Sequence, residues 1–275
     1  MTTNENQINV VKIGGAPGNS LEPLISEIAR RSAAGERWVV AHGASGAMDA
    51  LCRERGVEIR MVTSPSGYRS RFVGEAEREL FREAALSYGA RIASMLEERG
   101  AAARQMDPEA APYAEAARKD VIRESVGGRT RLLRGNYSGT VKRINAAPLL
   151  EALDAGCVPV VAPLALDETL FVSLNVDGDR LAAQIAAALH AGALFILSNV
   201  PGLMKELNDP ASLIKNGALS QWEILEHYAQ GNMKRKLVAC KEALELGTPA
   251  VCLADGREAE PIANAIAGNA TWLAR

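Results

Sequence analysis

The segment VVKIGG, residues 10–15, predicts the fold and the first part of a functional site. Its apolar residues are typical of a buried strand, and a Gly-Gly turn follows at once. In a parallel sheet such a turn lies at the carboxyl edge, where ligands commonly bind. Gly14 and Gly15 let backbone N–H groups approach an anion, and Lys12 adds a positive charge. The segment is not a Walker A motif, so a purely structural strand and turn is the alternative.

The alternation of strand and helix continues along the chain. Short apolar β-rich runs predict strands, and longer amphipathic runs predict helices. The predicted strands cover residues 8–13, 38–41, 158–162, 194–198 and 250–254, and the predicted helices cover residues 20–34, 46–56, 75–99, 149–155, 180–190 and 236–246. The alternation indicates parallel strands joined by crossover helices. The expected fold class is therefore α/β, a three-layer α/β/α sandwich with a largely parallel central sheet.

Three longer features describe the organisation of the chain. The helix predicted at residues 75–99 carries an apolar stripe that packs either on the sheet or on a partner subunit. The stripe consists of Leu80, Ala84, Tyr88, Ile92 and Met95. The polar segment 129–145 predicts a hairpin standing off the main sheet. A boundary near residues 163–171 divides one domain, residues 1–275, into lobes of about residues 1–165 and 166–275.

Composition argues against several classes of protein. With 275 residues and 48% hydrophobic content, the chain is able to bury a sizeable core. A net charge of -2 gives no overall basic excess, so nucleic-acid binding is not expected. No run approaches the roughly 20 apolar residues of a membrane helix, and the first residues lack a signal-peptide pattern, so we expect a cytoplasmic protein. The four cysteines lack metal-ligand spacing and are expected to be isolated thiols.

A second candidate anion site follows the second predicted strand. Residues 41–46, AHGASG, form a small-residue turn that enters a helix, and the N-terminus of a helix favours an anion. His42 is either a catalytic residue or a residue that orders this loop. The second interpretation is favoured, because no acid or nucleophile lies at a recognisable spacing from it.

An arginine-containing loop precedes the long helix. Residues 63–72, TSPSGYRSRF, place Arg69 and Arg71 among serine, glycine and proline residues. Guanidinium groups bind carboxylates through two parallel hydrogen bonds. The loop therefore suggests capture of an acidic substrate, and the alternative is a solvated basic loop.

Two further polar segments each precede a predicted helix. Residues 173–179, SLNVDGD, contain Asn175, Asp177 and Asp179, of which Asp179 is predicted to cap the helix. Capping does not explain the presence of Asn175. Basic residues at a helix N-terminus oppose the helix dipole unless an anion compensates. Residues 231–236, GNMKRK, place three such residues there, namely Lys234, Arg235 and Lys236.

Taken in order, these motifs resemble the amino-acid kinase family. The family pattern is K-x-G-G, H-G-G-G, an arginine loop, N-x-x-x-D and G-M-x-x-K, and the resemblance covers nearly the whole chain. Within the family, residues 63–72, 196–214 and 231–240 look most like kinases that act on a LysW-type amino-group carrier protein. Those kinases phosphorylate a carrier-attached glutamate or 2-aminoadipate. Acetylglutamate kinase is a close cousin that usually has a different arginine loop.

The resemblance implies an ATP-dependent kinase that converts a side-chain carboxylate to an acyl phosphate in lysine, arginine or related biosynthesis. It implies catalysis by Lys12, Asp179 and Lys236, substrate binding by Gly43, Ala44, Arg69, Arg71 and Asn175, and nucleotide binding by Gly14, Gly15, Ser198, Asn199, Gly202 and Lys236. Backbone N–H groups of Gly14, Gly15 and Gly43 are expected to face phosphate. Mg²⁺ is expected to bind mainly through phosphates and water, without dedicated protein ligands. The implied partners are a LysW-type carrier and a second copy in a homodimer.

A carrier of this type is small and acidic and presents its substrate on a C-terminal glutamate. The resemblance therefore implies an open basic mouth around the acceptor site. The candidate residues are Arg69, Arg71, Arg129, Arg131, Arg134, Lys142 and Arg143. The alternative is an ordinary solvated hairpin.

The chain departs from the family pattern in two places. Ala44 and Ser45 stand where two glycines are usual, which either blocks close approach to phosphate or lets Ser45 donate its hydroxyl instead. Residues 102–120 replace the usual S-G-x-D-G stretch. Three functions stay open: the carrier-dependent kinase, an acetylglutamate kinase, and a non-catalytic ATP-binding regulatory relative. The retained lysines and aspartate disfavour the third.

Overall fold

A computed structural model describes residues 7–15, 21–65, 67–207 and 209–275, and it confirms the α/β class. The strands of these residues are β1 (Ile8–Ile13), β2 (Arg37–His42), β3 (Met61–Thr63), β4 (Arg69–Arg71), β5 (Ala103–Met106), β6 (Ala114–Arg118), β7 (Ile122–Val126), β8 (Arg129–Leu133), β9 (Gly139–Ile144), β10 (Val158–Val161), β11 (Leu164–Asp167), β12 (Ser173–Asn175), β13 (Ala193–Ser198), β14 (Asn216–Ala218), β15 (Ala250–Asp255) and β16 (Thr271–Ala274). The helices are α1 (Leu21–Ala33), α2 (Ser45–Arg55), α3 (Glu75–Glu97), α4 (Ala147–Asp154), α5 (Gly178–Ala188), α6 (Trp222–Tyr228), α7 (Asn232–Glu245) and α8 (Pro261–Ile266).

Eight strands form the central sheet, in the order β14-β16-β15-β13-β1-β2-β10-β5. Every neighbouring pair is parallel except β15 with β16. Lys12 on β1 pairs with Ala41 on β2 and Ile196 on β13, and Ser198 pairs with Asp255 at the end of β15. The carboxyl ends of these strands therefore meet along one edge, as the sequence predicts for its anion sites.

The two faces of the central sheet are covered by different helices, because successive strand residues point to opposite sides. Val10 packs in a core cluster with residues of α4, α5, α6 and α7. Val11, the next residue, packs in a second cluster with residues of α1, α3 and α8. Burial is complete along β1, β13 and β15. This is the predicted three-layer α/β/α sandwich.

The apolar stripe of α3 packs inside its own chain. Leu80 and Ala84 belong to a cluster with Met48 of α2, and Ile92 and Met95 belong to the cluster beneath α1. Of the two predicted partners for the stripe, the structure shows the intrachain one. The stripe itself is therefore not an exposed surface for a second subunit.

A smaller sheet and two hairpins stand beside the central sheet. The smaller sheet has the order β12-β11-β6-β9, and the hairpins are β3–β4 and β7–β8. The prediction of a hairpin over residues 129–145 has wrong boundaries. Its first strand is β7, which turns at Gly127 and Gly128 into β8, whereas β9 pairs with β6 in the other sheet. Arg60 of the segment before β3 lies 3.5 Å from Glu124 of β7, so the two hairpins are neighbours.

The division of the domain into two lobes near residues 163–171 stays a prediction. The central sheet takes strands from both sides of residue 165, and β11 pairs with β12 across the predicted boundary. None of the helices in the described ranges is long and apolar enough to cross a membrane. Residues 1–6, 16–20, 66 and 208 lie outside the described residues, and they include residue 20 of the predicted first helix and residue 66 of the arginine loop.

Candidate active site

Three charged side chains, two of them buried, form an ion triad at the carboxyl edge of the central sheet. Lys12 Nζ lies 2.5 Å from Oδ1 of Asp179, and Lys236 Nζ lies 3.2 Å from Oδ2 of the same carboxylate. The exposed fractions of these side chains are 8% for Lys12, 11% for Asp179 and 14% for Lys236. The three residues predicted to be catalytic are therefore in direct contact.

The charges of this triad are set by burial and by each other. Burial raises the pKa of the Asp179 carboxyl, but attraction to Lys12 and Lys236 outweighs burial and holds that pKa at about 2. Burial lowers the pKa of Lys236, and Asp179 opposes this effect. Asp179 is ionised at neutral pH and balances one of two ammonium groups. With both lysines protonated, the triad carries one net positive charge that favours an anion.

Asp179 is free to hold the lysines because another residue caps its helix. The Asp177 side chain accepts hydrogen bonds from the backbone N–H groups of Asp179 and Arg180, at 3.0 and 3.1 Å. The prediction that Asp179 is the cap is therefore wrong. Gly178 lies beside the triad, where a Cβ would be in ordinary van der Waals contact with Cε of Lys12 at 3.5 Å.

The first two turns of α7 carry the basic residues of the GNMKRK segment. Lys236 turns to Asp179, as described above. Arg235 instead donates from Nη2 to the backbone carbonyl of Arg69 at 2.5 Å, and its guanidinium lies 5.6 Å from the ring centre of Tyr68. Helix α7 is thus connected both to the triad and to the arginine hairpin β3–β4.

The two glycine loops touch backbone to backbone. A Cβ on Gly15 would lie 2.4 Å from the carbonyl carbon of Gly43, and a Cβ on Gly43 would lie 2.6 Å from the nitrogen of Gly15. The Gly43 N–H donates to the Ile13 carbonyl at 2.9 Å, and the Gly46 N–H donates to the Gly15 carbonyl at 2.7 Å. The prediction that the Gly43 N–H faces phosphate is therefore wrong. Gly43 is required because no side chain fits between the loops.

The departures from the H-G-G-G pattern do not disturb this packing. Ala44 is 3% exposed and belongs to an apolar cluster with Met48 and Phe81, and Ser45 begins α2. His42 is 1% exposed, and its Nδ1 lies 3.1 Å from the Gly43 carbonyl oxygen. Burial lowers the pKa of His42 to about 4, so the ring is neutral at pH 7. These contacts support the loop-ordering interpretation of His42.

The arginine hairpin lies across the same edge. Arg71 pairs with Asp49 of α2, and its side chain is 12% exposed. The Arg69 residue is exposed on the strand β4. Asn175 ends β12 and forms a bridge with Ser138, which precedes β9. The structure therefore holds Arg71 against α2 and leaves the Arg69 side chain toward solvent.

A cavity of about 660 Å³ joins these elements. Its lining includes every residue predicted for catalysis or substrate binding, together with Gly14, Gly15, Ser198 and Asn199. A second cavity of about 180 Å³ includes Gly202 in its lining. Ser198, Asn199, Asn232 and Lys236 line both cavities, which therefore adjoin at the triad.

Several lining residues were not predicted from the sequence. Tyr228, Met233 and Leu203 contribute an apolar wall to the smaller cavity, and Arg257 lines the larger one. The signal for Arg257 is the segment Asp-Gly-Arg at residues 255–257, which begins at the last residue of the buried strand β15. A charged residue in that position lies at the carboxyl edge of the sheet, as Lys12 does.

The triad and the two cavities lie at the carboxyl edge of a largely parallel sheet, which is where α/β proteins commonly bind ligands. The family model described as the amino acid kinase family matches residues 7–254. The chain belongs to this family, and the resemblance inferred from the motifs is confirmed.

Similar proteins are named kinases. The LysW-aminoadipate kinase of Deinococcus radiodurans is 38% identical over 266 residues, covering 95% of this chain and 90% of that protein. The LysW-aminoadipate kinase of Thermus thermophilus is 34% identical, covering 95% of this chain and 98% of that protein. The LysW-aminoadipate/LysW-glutamate kinase of Sulfurisphaera tokodaii is 30% identical, with coverage of 94% and 96%.

Solved structures agree on the fold. N-acetylglutamate synthase from Neisseria gonorrhoeae superposes with a TM-score of 0.76 at 21% identity, over 98% of this chain and 59% of that chain. Carbamate kinase from Giardia lamblia superposes with a TM-score of 0.62 at 15% identity, over 98% of both chains. At these identities the likeness concerns the fold alone.

Proposed function

We propose that this protein is an ATP-dependent kinase acting on the side-chain carboxylate of glutamate or 2-aminoadipate attached to a LysW-type carrier protein. The products are an acyl phosphate and ADP. The observation that carries the proposal is the triad of Lys12, Asp179 and Lys236 where two cavities adjoin. The names of the similar kinases supply the substrate class.

The shapes of the two cavities suggest which substrate each one takes. The smaller has apolar residues such as Leu203 and Met204 beside the polar Asn199 and Asn232, which suits a nucleoside. Its border with the larger cavity is Lys236, so the phosphates of ATP extend toward the triad. The larger cavity then receives the acceptor carboxylate beside Lys12.

The reaction needs positioning and charge neutralisation, and no covalent enzyme intermediate. A carboxylate oxygen of the acceptor attacks the γ-phosphorus in line, a new P–O bond forms, and the bond to the bridging oxygen of ADP breaks. The acceptor is already ionised at pH 7, so no general base is required. Lys12 and Lys236 offset charge on the transferring group, and Asp179 keeps both ammonium groups in place.

Magnesium is expected to reach the site with the nucleotide. Within the described ranges, no group of three or more histidine, cysteine, aspartate or glutamate side chains has the geometry of a metal site. In nucleotide sites Mg²⁺ is commonly held by phosphate oxygens and water, and we propose that mode here. Bound there, Mg²⁺ neutralises part of the phosphate charge.

Recognition of the acceptor falls mainly to Arg69 and Asn175. Both line the larger cavity, and Arg69 is not committed to the pairing with Asp49 that holds Arg71. A bidentate contact between Arg69 and the α-carboxylate would set the acceptor's direction. Arg71 supports the hairpin that presents Arg69.

The two neighbouring hairpins, β3–β4 and β7–β8, form the proposed docking surface for an acidic carrier. Arg129 and Arg131 are exposed on β8, and Arg134 is exposed just after it. Arg143 belongs to another sheet and its guanidinium pairs with Glu115, through Nε at 3.0 Å. The exposed arginines therefore lie on and just after β8, and Lys142 adds an exposed charge on β9.

The proposal includes a cytoplasmic homodimer. The apolar stripe of α3 is covered, but Ser87, Ala90 and Ser94 on the same helix are exposed beside the edge strand β5. Small residues on a helix and an unpaired strand edge allow close approach of a second copy.

The test is hydroxylamine trapping of the acyl phosphate with ATP and each of three acceptors. Carrier-linked glutamate or carrier-linked aminoadipate should yield hydroxamate, and free N-acetylglutamate should react poorly because it lacks the remote binding energy of the carrier. Efficient turnover of free N-acetylglutamate would favour the acetylglutamate kinase alternative. ATP binding without hydroxamate from any acceptor would favour a regulatory relative.

A further inference from the structure

Arg257 is a charged residue of the larger cavity that the proposed mechanism does not use. It follows the end of β15, where the Gly256 N–H donates to the Ser198 carbonyl at 2.7 Å. A Cβ on Gly256 would lie 3.2 Å from Cβ of Leu197, so the turn is tight against β13. The turn fixes Arg257 beside Ser198, where the two cavities adjoin.

Asp255 holds this arginine from the protein side. Its carboxylate accepts hydrogen bonds from the Arg257 backbone N–H at 2.9 Å, from Nε at 2.9 Å and from Nη2 at 2.6 Å. Burial raises the pKa of Asp255, but the hydrogen bonds and charge of Arg257 outweigh it and hold that pKa below its usual value. The Asp255 side chain is 10% exposed and the Arg257 side chain is 53% exposed. The guanidinium is thus oriented without being buried.

The net charge of the triad is too small to balance the phosphates of a bound nucleotide, so a further positive charge such as that of Arg257 would stabilise them. Lys12 and Lys236 share Asp179, so the triad carries one net positive charge when both lysines are protonated. A nucleoside triphosphate brings several negative charges to the same edge. Because the contacts with Asp255 use Nε and Nη2, the other donors of the guanidinium fork stay available for a phosphate oxygen.

We infer that Arg257 binds a phosphate group of the nucleotide and that Asp255 is its positioning residue. The inference rests on the proposed function, which places nucleotide phosphates at this edge. It adds a cation from the end of β15 to the two lysines of the triad. The competing interpretation is an ion pair that only fixes the turn after β15.

The test compares Arg257→Gln with Arg257→Lys, using calorimetric titration with MgADP and steady-state kinetics. Loss of a charged hydrogen bond should weaken ADP binding roughly tenfold to hundredfold in Arg257→Gln, and less in Arg257→Lys. KM for ATP should rise while KM for the acceptor stays unchanged. The matched control is Arg30→Gln, because Arg30 pairs with Glu260 at 2.5 Å with a 62% exposed side chain and does not line the cavity.

Asp255→Asn separates positioning from stability. If Asp255 acts by orienting the guanidinium, this change should weaken ADP binding in the wild-type background and have no further effect in Arg257→Gln. A purely structural pair would alter the unfolding temperature but not the ADP affinity.

Two results would overturn the inference, and only one of them would also overturn the proposed function. An ADP affinity of folded Arg257→Gln within about twofold of the wild-type value, where the wild type binds ADP, overturns the inference alone. A wild-type protein that binds neither ADP nor ATP overturns the inference and the proposed function together.

Discussion

Replacing Asp179 with asparagine removes the charge that keeps two lysines together in a buried site. The pKa of Asp179 lies at about 2, against an ordinary value of 3.8. That difference of nearly two units corresponds to roughly 2 kcal/mol of stabilisation of the ionised form in the folded state. The Asp179 side chain is 11% exposed, so solvent screens little of this free energy. We expect Asp179→Asn to lower the free energy of unfolding at pH 7 by roughly 2 kcal/mol.

The same change should also lower kcat. Without the carboxylate, the two ammonium groups repel each other and lose their common orientation toward the transferring phosphoryl group. Loss of such preorganised charge commonly costs on the order of 3 kcal/mol, or about a hundredfold in kcat. Urea unfolding and hydroxamate kinetics measure the two effects separately. MgADP should protect the variant, because the anion replaces part of the missing charge.

The pH dependence provides a second measure. Because the folded pKa of Asp179 is lowered, its stabilisation is complete above the unfolded value near 4 and is lost as pH falls toward 2. The gap in unfolding free energy between wild type and Asp179→Asn should therefore shrink across that window. The matched control is Asp177→Asn, which keeps the helix cap because asparagine caps as well as aspartate. Unchanged stability and a kcat within about threefold of wild type in Asp179→Asn would refute the reasoning.

Three further predictions concern the lysines of the triad, the docking surface for the carrier and the formation of a homodimer. Lys12→Ala and Lys236→Ala should each reduce kcat about a hundredfold in hydroxamate assays, and near-normal kcat in either folded variant contradicts the assignment. Reversing Arg131 and Arg134 to glutamate should raise KM for the carrier-linked substrate, increasingly so at low salt, while sparing KM for ATP. The same reversal at Arg143, already paired with Glu115, should have a smaller effect, and equal effects at both places argue against docking on the hairpin. Light scattering at micromolar concentration should give a dimer mass, and a monomer excludes the proposed homodimer.

The fold was predictable because its signals are repeated. The buried strands β1, β2, β10, β13 and β15 are mostly apolar, and helices follow or precede them along the chain. The short strands β3, β4, β11 and β12 were not predicted. They have three or four residues each, and most carry polar side chains, so their pairing depends on partners elsewhere in the chain.

The misplaced hairpin shows how a local signal competes with a distant one. Residues 129–145 contain turn signals at Gly135 and Gly139, and alternating polar residues favour a local hairpin there. In the structure, the chain turns at Gly127 and Gly128, so that β8 pairs with the preceding strand β7. Strand β9 pairs with β6, more than twenty positions earlier in the chain. A sequence window around 129–145 does not contain that second partner.

The site residues were predictable as a set, but their individual contacts were not. Asp177 and Asp179 are both suitable caps by residue type, and only the observed start of α5 at Gly178 decides between them. Arg257 has no periodic signal, and acidic residues flank it at positions 255 and 258, so its sequence predicts an ordinary surface ion pair. What distinguishes it is the end of β15 beside Ser198, which is a property of the sheet order.

The glycine loops bear on whether the site is competent for catalysis. Replacement of two glycines by Ala44 and Ser45 is the feature that most favours a non-catalytic relative. Yet the close approach of the loops depends on Gly15 and Gly43, which are both present, and a Cβ at either position would collide with the other loop. The Ala44 methyl group packs in the cluster formed by α2 and α3, where a glycine would leave a gap. The substitution therefore fills a neighbouring core without widening the distance between the loops, and this argues for a retained active site.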